Sequence, residues 1–210
     1  MAKRFTLHGI WLSGPTYKVA LMLSLCGEPF DYVHVDLRAR EHKEPTFIEK
    51  NRYGQVPCLV GPDVTLCQSA SILEYLAETL GKFGGETPAE RARIREWMYW
   101  DFDQLAPAIY RTRAFRLGFR QADASIQTMY SEDGNRVLAF LDGELAGREW
   151  LAGNHPTIAD IDVYGVVHYV ADGGFDLSGL AHLSAWKARV EALPGFGAPD
   201  QIMPKGKIAA

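Results

Sequence analysis

The chain has 210 residues, enough for one large domain or two small ones with a real core. Hydrophobic residues make up 47% and charged ones 23%, the balance of an ordinary globular protein. A net charge of -4 with no basic block argues against nucleic acid as a partner. No apolar run approaches the ~18 residues that span a membrane.

Met1-Ala2-Lys3-Arg4-Phe5 leads straight into a strand pattern with no apolar signal segment, so a cytoplasmic protein is expected. Arg4 to Ile10 alternates around Phe5 and Leu7 and predicts a strand. After the loop Trp11 to Pro15, Val19, Met22, Leu23 and Cys26 mark one face of a helix over 16–26, ended by Gly27. Phe30 to Leu37 alternates again. A crossover helix between two strands predicts that they run parallel. Arg38 to Lys50 is polar, with a short helical piece near Phe47-Ile48.

Cys58 to Val60 and Val64 to Cys67, joined by Gly61-Pro62-Asp63, predict a hairpin. Val56-Pro57 stands at its start, where a residue without a donor is tolerated. If that bond is cis, the Val56 backbone turns outward and can pair with a short extended peptide as one more strand. Ser69 opens a helix to Leu80, capped by Gly81, and its free N–H groups suit a carboxylate. A loop that grips a peptide backbone beside a helix start that grips a carboxylate describes a site for a small acidic peptide.

The rest of the chain shows helical periodicity only. Residues 82–87, with Gly84-Gly85, read as a linker, and Thr87-Pro88-Ala89-Glu90 starts a helix. That helix runs through Trp97, Met98, Trp100 and Leu105, where Pro107 should kink or stop it. A second helix runs from near Asp123 to Gly147, weakened in its middle by Gly134. Thr157-Ile158-Ala159-Asp160 is a capping box for a third helix, extending to Gly173-Gly174, and a last helix covers about 183–193. Asp160 belongs to folding on this reading, and His155 and His168 are structural. The fold class is therefore α+β: residues 1–81 as a thioredoxin-like domain, then an all-α helical bundle over 88–200.

The cysteines Cys26, Cys58 and Cys67 lack metal spacing and read as buried free thiols of a reducing compartment, and no metal is expected. Cys58, directly after Pro57, is the one with a prospect of reactivity.

Six motifs occur in order: Ser13-Gly14-Pro15-Thr16-Tyr17-Lys18-Val19, Glu41-His42-Lys43, Asn51 to Pro57, Gln68-Ser69-Ala70-Ser71-Ile72, Trp150-Leu151-Ala152-Gly153 and Thr157 to Asp160. Together they resemble cytosolic glutathione S-transferases, nearest to the bacterial and plant phi-like, serine-type enzymes. Arg52 departs from the proline usual in the family, and Pro15 stands where relatives often place Asn or Cys. The missing Cys argues against the zeta-class isomerase and against disulfide chemistry at that loop.

The resemblance implies glutathione as co-substrate and a small hydrophobic electrophile as its partner. Ser13 would donate a hydrogen bond to the glutathione sulfur, with Thr16 as the alternative. Ser69 and Gln68 would hold the γ-glutamyl end, Val56 beside Pro57 the cysteinyl unit, and Gln55, His42 and Lys43 the glycyl end. Trp97, Trp100, Tyr110, Arg111 and Phe115 are candidates for an electrophile pocket expected between the domains, where Arg111 and Arg113 could instead steer an acidic substrate. A homodimer is implied. A non-catalytic ligand-binding or interaction module, and a glutathione-dependent reductase or dehalogenase, are the alternatives.

Overall fold

The computed structural model describes residues 4–206; Met1 to Lys3, part of the stretch read for a signal segment, lie outside the described residues. The chain divides into two compact units, one of residues 1–82 with 193–210, the other of residues 83–192.

The first unit holds β1 (Phe5–Gly9), α1 (Gly14–Cys26), β2 (Phe30–His34), a 3-10 turn (Glu41–Lys43), α2 (Pro45–Ile48), β3 (Cys58–Val60), β4 (Thr65–Cys67) and α3 (Ser69–Leu80). The sheet order is β2-β1-β3-β4. β1 and β2 are parallel, as a crossover helix requires, while β3 is antiparallel to β1 and β4 to β3. Phe5, Leu7 and Leu59 are fully buried on one face of the sheet. The next residues along β1 and β3, His8 and Cys58, point to the other face, where Cys58 packs with Val35 and Phe47. β2 is shorter than the alternation to Leu37 predicted. Val35 N–H still donates to the Gly9 carbonyl at 2.8 Å. Asp36 then breaks the strand by accepting from the N–H groups of Arg38 and Ala39 through Oδ1.

α1 is buried around most of its circumference, where the apolar spacing predicted one face. α1 packs on α3 and on β1, and the chain's end covers a further side. α9 (Pro199–Ile202) packs on α1, Tyr17 Oη donates to the Gly197 carbonyl at 3.0 Å, and Ser24 Oγ to the Gly195 carbonyl at 2.6 Å. Residues from 193 onward thus belong to the first unit, whereas the periodicity assigned the chain as far as 200 to the helical domain.

The second unit contains α4 (Pro88–Trp100), α5 (Ala106–Arg116), α6 (Ala124–Glu144), α7 (Ile158–Val167) and α8 (Ala181–Glu191). Pro107 neither stops nor ends the first of these. A π segment, Asp101–Leu105, has already interrupted the ordinary ladder, so the chain keeps helical angles into α5 despite the missing donor. Gly134 is not simply a weak point of α6. A Cβ there would lie 2.2 Å from Phe175 Cζ, so the glycine admits that ring to the core. Asp160, almost fully buried, accepts from the N–H groups of Leu151 and Thr157 and from Trp186 Nε1. It closes the capping box of α7 and ties in the 150–153 stretch, a folding role. Burial pushes its carboxyl upward, and those donors pull it back.

Candidate functional site

The sheet register brings the sequence motifs to one place. His8, Cys58 and Cys67 form a cross-strand row, and Gly9 pairs with His34. β1, β2 and β4 therefore end at the edge where β3 begins. The segments carrying Ser13, His42 and Lys43, Gln55 to Pro57, and Gln68 with Ser69 all leave the sheet at that edge. The amino-terminal ends of α1 and α3 open there too, each with the positive end of its dipole.

Ser13 is the N-cap of α1, half-buried, with Oγ accepting from the Thr16 N–H at a long 3.3 Å. An accepting hydroxyl keeps its own proton to donate elsewhere. Thr16 is fully buried, its methyl packed against the Gly9 backbone, and its Oγ1 has no partner among the described residues. Of the two alcohols, Ser13 is the one with access to solvent.

Asn51 organises the next loop. It is 1% exposed, donates through Nδ2 to the carbonyls of Gln55 and Pro57, and accepts through Oδ1 from the Tyr53 N–H. These bonds fall on the neighbours of Val56, whose backbone groups have no partner among the described residues. The Val56-Pro57 bond is cis. Gly54 sits at φ 54°, and a Cβ there would press on Ile48, the His42 carbonyl and Lys43 Nζ, so the 3-10 turn and the loop meet at this glycine. Lys43 Nζ donates to the Gly54 carbonyl, a neutral acceptor that leaves its charge uncancelled. Burial, then the charges of Lys43 and Arg40, lower the His42 pKa, so this ring stays neutral near pH 7. Sequence reading placed Asn51 in the motif but gave it no role; an asparagine flanking a turn was the available signal.

Gln68 precedes α3 with φ 71° and ψ 114°, a conformation that L residues rarely hold, and its side chain makes no cap. Gln68 thus offers the first N–H groups of α3 no side-chain acceptor, whereas Ser13 and Thr87 cap α1 and α4. Ser69 is half-buried as the first helical residue.

Residues 3–78 match the glutathione S-transferase N-terminal domain, and residues 106–194 match the glutathione S-transferase C-terminal domain. The chain belongs to the glutathione S-transferase family. It is 36% identical over 171 residues to glutathione S-transferase GST-4.5 of Xanthomonas campestris, covering 78% of this chain and 82% of that one. It is 31% identical over 214 residues to maleylacetoacetate isomerase of Rhizobium meliloti, covering 97% of this chain and all of that one. A solved glutathione S-transferase from Pseudomonas fluorescens superposes with a TM-score of 0.89 at 29% identity, over 94% of this chain and 99% of that one.

Within the helical unit, the residues expected at an electrophile pocket divide by environment. Trp97 is buried and donates through Nε1 to the Leu151 carbonyl at 2.9 Å. Trp100 is half-buried between the rings of Trp97 and Phe140. Tyr110 donates its hydroxyl to the Gly165 carbonyl, and Phe115 lies against Tyr130. Arg111 is half-buried on α5. Arg113, read as able to steer a substrate, is buried, ion-paired with Asp172 at 2.9 Å and set over the Tyr169 ring.

Proposed function

We propose that the chain is a glutathione transferase in which Ser13 donates a hydrogen bond to the glutathione sulfur. The thiolate so held attacks a small electrophile. The observation that carries the reading is the convergence of Ser13, the unpaired Val56 backbone and the uncapped start of α3 at one sheet edge. In this reading Ser69 and Gln68 take the γ-glutamyl carboxylate, Val56 pairs with the cysteinyl unit, and Gln55, His42 and Lys43 take the glycyl end. His42 supplies a hydrogen bond and Lys43 the charge. Trp97, Trp100, Tyr110, Arg111 and Phe115 are the candidates for the electrophile. The active species is a homodimer in the cytoplasm.

A free thiol titrates near ~8.5, and lowering it by about two units needs ~2.7 kcal/mol of preference for the anion. A hydrogen bond to a charged group supplies roughly 1.5–3 kcal/mol and a helix start about 0.3–1. The two together suffice. The experiment is conjugation of an aryl halide by the wild type, Ser13→Ala and Thr16→Val. Ser13→Ala should lose about 10–100-fold in kcat/KM, the range of ~1.4–2.7 kcal/mol, while Thr16→Val stays within a few fold. The reverse pattern moves the sulfur contact to Thr16.

The isomerase relative, similar over its whole length, supports a second reading against the expectation drawn from Pro15: cis–trans isomerisation. The same thiolate would add to a conjugated double bond and leave again after rotation. Assaying cis–trans isomerisation of maleylacetoacetate beside the aryl halide separates the two.

A further inference from the structure

Cys58 and Cys67 are directly opposed across β3 and β4. Residues so placed in an antiparallel pair have Cα atoms about 4.5–5.5 Å apart, inside the range a disulfide requires. Their side chains are on the same face, and both donate to one acceptor. The Lys50 carbonyl is 3.7 Å from Cys58 Sγ and 3.6 Å from Cys67 Sγ. Both cysteines are free thiols in this structure; Cys58 is fully buried and Cys67 half-buried. We propose that Cys58 and Cys67 form a reversible dithiol–disulfide site, oxidised by small disulfides such as oxidised glutathione.

The order of events follows from exposure. The Cys67 thiolate attacks one sulfur of the small disulfide, breaking its S–S bond and releasing one thiolate. Cys58 then loses its proton and attacks the Cys67 sulfur, closing the cross-strand bond and expelling the second thiolate. The two protein protons end on those thiolates. The balance is one protein dithiol and one oxidised glutathione giving one protein disulfide and two glutathione molecules, a two-electron exchange with no other reactant. Burial raises both thiols above their ordinary range, Cys58 to about 12, so oxidation is slow at neutral pH and accelerates as pH rises.

The pair lies where its state can be read. Cys58 follows Pro57 and Cys67 precedes Gln68, the two segments assigned above to glutathione. A disulfide has no S–H, so oxidation removes both donors from the Lys50 carbonyl, next to Asn51. The loop 51–57 then loses an anchor and grips its ligand less firmly; this consequence rests on the function proposed above.

The test incubates the full chain at fixed pH with defined ratios of oxidised to reduced glutathione, quenches with an alkylating reagent, and weighs intact chain and peptides. Expected are a loss of two hydrogens that grows with the ratio, one linked peptide joining residues 58 and 67, and an alkylated Cys26. Cys58→Ser should stop at a glutathione adduct on Cys67. Wild-type chain alkylated at both Cys58 and Cys67 at every ratio, or a linked peptide containing Cys26 instead, overturns the proposal without recourse to any variant. In a separate arm, reduced and oxidised wild type pass over immobilised glutathione, with several-fold weaker retention expected after oxidation. Reduced protein that fails to bind removes the glutathione reading, while the thiol count still decides the disulfide.

Discussion

Lys43 Nζ donates to the carbonyl of Gly54 at 2.8 Å, and that bond joins the 3-10 turn to the loop that presents Val56. The lysine thus positions the loop while leaving its charge available to a carboxylate. Lys43→Met keeps the stem and removes both functions. Glutathione affinity should fall about tenfold, equivalent to ~1.4 kcal/mol, and its salt dependence should weaken. Titration calorimetry at two ionic strengths checks this; unchanged affinity in both would reject the role.

Gln68 holds φ 71° at the entry to α3. A non-glycine residue in such a conformation costs roughly 1–3 kcal/mol and persists at ligand clamps. Gln68→Gly should raise stability to denaturant by on the order of 1 kcal/mol while lowering glutathione affinity, because the side chain assigned to the γ-glutamyl end is lost. A variant that gains in neither stability nor weakness of binding contradicts both parts.

Gly134→Ala places a methyl where Phe175 already sits. Helix propensity alone would favour alanine by about 1 kcal/mol, but overpacking costs typically 1–3. Net destabilisation is expected, with the unfolding midpoint shifted downward. The double variant Gly134→Ala, Phe175→Leu should behave less than additively, since the methyl and the smaller side chain share one space.

Burial lowers the pKa of His8, helped by Lys50, and of His168, helped chiefly by Lys187. Both rings therefore resist protonation when folded. The stability they contribute is complete above the unfolded value of ~6.5 and is lost as pH falls through the depressed folded values. The thermal midpoint should drop between about pH 7.5 and 5. His8→Gln with His168→Gln should flatten that slope; a slope as steep as the wild type's would show that other groups set it.

The local pattern along the chain was sufficient for much of this protein. The parallel β1–β2 pair, the hairpin at Cys58 to Cys67 and the helix starts at Thr87 and Thr157 follow from short-range periodicity, the crossover rule and capping chemistry, and the motifs from Ser13 to Ser69 were legible through their resemblance to the family. What depends on residues distant in sequence was out of reach. Periodicity could not show that residues 193–206 return to cover α1, because the contacts Tyr17 to Gly197 and Ser24 to Gly195 join opposite ends of the chain. Nor could it show that a glycine in α6 is shaped by Phe175, that Asn51 holds the loop by three bonds, or that two cysteines nine positions apart face one carbonyl. Secondary structure is chosen by neighbours along the chain, whereas which polar group is buried and which void is filled is chosen only when separate segments meet.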